Sequence, residues 1–272
     1  MIDLDQEYLK SCVYYDGALD DRFDPLPGIR LAEALDLSHL EVGDWKRTGA
    51  KIEQCVRKLL MMWTAGEKAL EAERDFYSAT IQEAPVLYGE HAVEIQYHCE
   101  ALIYFARSAM DLAAYAFGKL LPPPLSVKRA DSFNDLLKAI IKQGPNQPLA
   151  ILIENWRAAE PGWLPLIANL EKGRSLRDQL AHQKGFPIDY QDISLTSEKR
   201  SAFVILSGRN AVPLKALVEI LRMGVAEAFR TFEDACLDYH AKASIFDSTE
   251  APDTCHQTSE PKRSQLIDPY SC

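Results

Sequence analysis

Two long stretches with helical spacing, each closed by proline, constrain this chain more than any other feature. From Trp45 onward, Ile52, Val56, Leu59, Trp63, Gly66 and Leu70 recur at intervals of three and four, making one apolar stripe that continues toward Ile81. Pro85 ends it. A second stretch runs from about Glu90 to Leu121, with Ile103, Ala106, Met110, Ala113 and Phe117 on its apolar face. Pro122-Pro123-Pro124 then forbids continuation, because proline offers no amide hydrogen and crowds the preceding turn. Two such stretches in succession predict a pair of long antiparallel helices.

Shorter helices are expected after them. DSFNDLLKAIIKQ has Asp131 or Ser132 as N-cap and Gly144-Pro145 as terminator. PLAILIENWRAA forms a second, and a third starts near Trp163-Leu164-Pro165 and runs to Gly185 and Pro187. The period then changes to two. DISLT and SAFVILS, joined by SEKR, predict a small β-hairpin. Leu214, Leu217, Val218, Leu221, Val225, Phe229 and Phe232 mark a last amphipathic helix ending near Ala243. The fold class is therefore all-α, a helical bundle with one small hairpin. It divides into an acidic, partly helical lead-in over 1–44, a helical domain over 45–243, and a polar, aperiodic tail over 244–272 that is expected to be disordered.

Composition narrows the functional classes. No run approaches the roughly 20 apolar residues of a membrane span, and the acidic opening MIDLDQEYLK lacks a secretory signal, so the expectation is a cytoplasmic protein. The six cysteines are scattered without a C-x-x-C pair, which reads as reduced thiols and neither a disulfide framework nor a zinc site. A net charge of −10 argues against nonspecific nucleic-acid binding. Within that total, residues 119–230 hold 16 basic and 11 acidic side chains, the one net-positive block, where a polyanion would be met locally.

That block contains RSLRDQLAHQKGF, residues 174–186. On a helix Asp178 and His182 are i, i+4 apart and share a face, so the carboxylate can reach the imidazole; Arg174 and Asp178 have the same spacing. Arg177 and His182 are i, i+5, roughly 140° apart on an ideal helix, and converge only if the helix loosens, the arginine curls round, or a second copy supplies the partner group. The bland alternative is a solvated helix end, where the macrodipole by itself favours basic residues. On the second long helix Gln96, Glu100, Tyr104, Arg107 and Asp111 share a stripe, either its wet face or the lining of a cleft with Glu100 and Arg107 behind the motif. Glu90, His91, Glu94, His98 and Glu100 raise a metal question, but the E-x-x-H pairs that carboxylate-bridged di-iron bundles need are absent, and no metal is expected. Trp45, Trp63, Trp156 and Trp163 are not interleaved with basic residues and are expected in the core or at helix starts. Neither G-x-x-x-x-G-K-[ST], G-x-G-x-x-G nor G-x-S-x-G occurs.

An arginine followed by a polar residue and then a histidine after four intervening residues, inside a helical domain, resembles the HEPN superfamily (higher eukaryotes and prokaryotes nucleotide-binding). Arg177, Asp178 and His182 match its motif, and YHCEALIYFARSAMDLAAYAFGKLL is similar to an early helix of that domain. The resemblance covers residues 45–243. It implies a metal-independent endoribonuclease without cofactors, commonly a homodimer whose two motifs face one cleft, acting on RNA in toxin–antitoxin, CRISPR-linked or antiphage systems. A regulatory protein partner is expected as well, because an unrestrained cellular ribonuclease would be toxic. In that reading His182 moves protons, Arg177 stabilises the phosphorane and Asp178 orients His182. The alternative is a non-catalytic HEPN-like scaffold that binds RNA, nucleotide or protein.

Overall fold

The computed structural model describes residues 42–82, 89–123, 125–127, 130–168, 188–191, 201–205 and 211–249. Helix α1 spans Val42–Gln82 and α2 spans Glu90–Leu120. Their buried residues alternate steps of three and four: Ile52, Cys55, Leu59, Met62 and then Gly66, Ala69 on α1, and Ala92, Ile95, Cys99, Leu102, Ala106, Ala109, Ala113, Ala116, Leu120 on α2. That mean spacing of 3.5 keeps a single seam facing a partner helix. The two run antiparallel. Cys55 Sγ donates to the Ala109 carbonyl at 3.2 Å, whereas Lys68 and Glu71, further along α1, meet the fields of Glu94 and His98, earlier on α2. Alanines at the seam leave room for the backbones to approach.

The first predicted stripe is only partly the seam. Ile52, Val56 and Leu59 are buried, but Trp63 and Leu70 are half-buried, and Met62, Ala69, Ala72 and Phe76 carry the contact instead. Trp63 turns toward the last helix, where the Arg222 guanidinium sits 4.1 Å above its ring. All five residues predicted for the α2 face are buried, as are all seven of the last helix.

Three shorter helices follow. α3 is Phe133–Gln143, with Ser132 as the N-cap accepting from the Asp135 amide at 3.3 Å and Gly144 as the C-cap; α4 is Pro148–Ala158, opened by its proline. The third departs from expectation. α5 covers only Leu164–Ile167, and Ala168 is extended (φ −129°, ψ 148°), so no continuous helix runs from Trp163 into the motif. The reason lies in WLPLIA: Trp163, Leu164, Leu166, Ile167 and Ala168 are all buried, and a piece without a polar face is absorbed by the core rather than laid along its surface.

The β-structure also differs. Strand β1 is Ile188–Gln191, β2 is Ser201–Ile205 and β3 is Ala211–Pro213, an antiparallel sheet in the order β1-β2-β3. SAFVI is a strand as expected, but it pairs with IDYQ, upstream of DISLT, with Tyr190 opposite Ala202; residues 192–200 lie outside the described set. The third strand, with Val212 opposite Val204, was not anticipated because three residues are too short to show a period. β3 leads directly into α6, Leu214–Thr249, which extends six residues past the expected Ala243. The protein is thus mostly helical with one small antiparallel sheet. Its centre is aromatic: Phe117 on α2 stacks on Phe232 of α6 at 5.3 Å and meets Phe229 edge-on at 5.0 Å, while Trp156 and Trp163 lie edge to face at 5.4 Å. Trp156 and Trp163 are buried, in line with the expectation. Residues 1–41 and 250–272, and with them nearly all of the lead-in and most of the tail, lie outside the described set.

Candidate functional site

Arg174, Arg177, Asp178 and His182 fall within residues 169–187 and lie outside the described residues. The structure does describe the frame on either side of them, and the two candidates on α2, Arg107 and Glu100. They behave differently. Arg107 is no part of a wet face: its side chain is 11% exposed, and it joins three elements. Nε donates to Asp111 Oδ2 at 2.8 Å, and Nη1 donates to Asn134 Oδ1 on α3 at 3.0 Å and to the Ile167 carbonyl at the end of α5 at 2.9 Å. Asp111 also accepts from the Phe133 amide, the first of α3, at 2.8 Å. A buried guanidinium is tolerable only with its charge balanced and its donors engaged, and these partners supply both.

Glu100 is half-buried and accepts from Gln96 Nε2 at 3.0 Å, whereas Tyr104 is exposed. The polar stripe therefore splits at about Tyr104 into a more open upper part and a buried bracket below.

On the far side of the motif, Tyr190 of β1 packs its ring on Phe76 with centroids 4.6 Å apart and donates its hydroxyl to the Ala92 carbonyl at 3.3 Å. Burial pushes its phenol up to about 12. The chain thus departs beside Arg107 and returns beside Ala92, two points on α2 separated by about 22 Å of helix. Glu100 lies between them.

The sheet is fastened by a residue that the sequence did not single out. Glu73 on α1 accepts from the Ala202 amide at 2.7 Å and the Ser201 hydroxyl at 3.1 Å. Burial raises its carboxyl above the ordinary 4.5 and outweighs the two hydrogen bonds, which act the other way. A carboxyl with a raised folded value favours the fold while protonated, and that contribution fades as pH rises from 4.5 through the folded value. Glu73→Gln keeps an acceptor and cannot ionise. Its Tm relative to wild type is therefore expected to rise across that interval, and a flat difference from pH 4 to 7 would show that burial does not control this group.

The acidic and histidine residues at the start of α2 do not converge. His91 Nδ1 lies 3.2 Å from Glu94 Oε2, while the His98 ring stands edge-on to Tyr97 at 5.1 Å. Burial, the largest influence on His98, lowers its proton affinity. Among the described residues no group of three His, Cys, Asp or Glu side chains is placed to share a metal. Cys55, Cys99 and Cys236 are buried free thiols, pushed up by burial. Among the described residues no helix is long and apolar enough to cross a membrane. No family model, no curated protein and no solved structure matches the chain.

Proposed function

We propose that the chain is a HEPN-type, metal-independent endoribonuclease that cuts RNA by attack of the ribose 2′-hydroxyl on the adjacent phosphorus. The observation that carries this reading is the motif Arg177-Asp178-x-x-x-His182 within a mostly helical frame, between two tethers on one long helix. The net-positive charge of residues 119–230 favours a polyanion there.

The chemistry suits the residue types. The 2′-oxygen bonds to phosphorus and gives up its proton, and the 5′-oxygen leaves and takes one. An imidazole such as His182 can move protons in such a step. The crowded, doubly negative phosphorane needs a fixed cation, and the Arg177 guanidinium presents planar paired donors to two of its oxygens. Asp178, four positions before His182, would hold the imidazole in orientation. In this reading the active form is a homodimer with the two motifs facing one cleft, it serves a toxin–antitoxin or antiphage system, and a partner protein restrains it.

The test is purified full-length protein with end-labelled RNA in excess EDTA. Cleavage leaving 2′,3′-cyclic phosphate ends is expected. RNA binding without cleavage would replace the enzyme by a non-catalytic scaffold, and neither binding nor cleavage would remove the HEPN reading.

A further inference from the structure

We draw no further inference here: the strongest candidate, the outward face of α2 on which Val93, Tyr97 and Tyr104 are exposed, is an unpartnered apolar surface, and nothing in the structure shows what covers it.

Discussion

On the ribonuclease reading proposed above, His182→Ala is expected to lower the RNA-cleavage rate by about 1,000-fold, and Arg177→Ala by about 100- to 1,000-fold. The two losses arise differently. Without the imidazole, the 2′-hydroxyl must give its proton to water, and the leaving 5′-oxygen departs as an alkoxide. Without the guanidinium, protons still move but the second negative charge on the phosphorane goes unanswered. Combining the substitutions should cost little more than the worse single one, because groups that act on one transition state are not additive. Arg177→Lys should recover only part of the rate, since an ammonium has the charge without the planar fork. Single-turnover cleavage of labelled RNA measures these effects, with circular dichroism and Tm as controls. A His182→Ala protein that cuts at the parental rate sinks the assignment, and so does a rate that falls only in step with Tm.

The largest structural effect is expected at Gly224, where α6 passes Trp163. A methyl carbon at Gly224 would stand 2.1 Å from Cδ1 and Cγ of that indole and 2.7 Å from its Cβ. The ring cannot retreat, because Trp156 and Phe133 pack against it with centroids 5.4 and 6.3 Å away. Gly224→Ala therefore forces the helix or the indole to shift and should destabilise the protein by about 3 kcal/mol, although alanine is by itself the better helix former by roughly 1 kcal/mol. Trp163→Ala should cost about 3–5 kcal/mol through the cavity it leaves. The double substitution separates packing from propensity. With the indole gone the clash disappears, and Gly224→Ala in that background should be neutral or slightly stabilising. Chemical denaturation of the four proteins measures the cycle. A full 3 kcal/mol loss in the Trp163→Ala background would mean that the glycine is needed for some other reason.

Much of the helical frame could be read from residue order, because it depends on spacing within single elements. The stop at Pro122, the cap at Ser132, and the apolar faces of α2 and α6 all follow from local geometry and a period near 3.6. Legibility failed where a segment has no polar side or too little length. WLPLIA reads as the start of a helix, yet it ends at Ile167 because every side but that of Pro165 is claimed by the core. IDYQ is also hard to read, since four residues carry almost no period, and only Tyr190 against Phe76 and Ala92 shows why this piece pairs.

The candidate site divides in the same way. Arg177, Asp178 and His182 stand out because their chemistry lies in side-chain type and close spacing along the chain. Arg107 was visible as a polar residue on a stripe, but nothing in its own helix says that it turns inward to Asn134 and Ile167, 27 and 60 positions away. Glu73 gave no signal at all, since its donors, Ser201 and Ala202, lie more than a hundred residues downstream. Residue order alone determined that the chain would be mostly helical and where α2 would stop. Tertiary structure alone decided which polar groups would be buried and what they would hold, because a charged side chain leaves water only where distant parts of the chain bring partners to it.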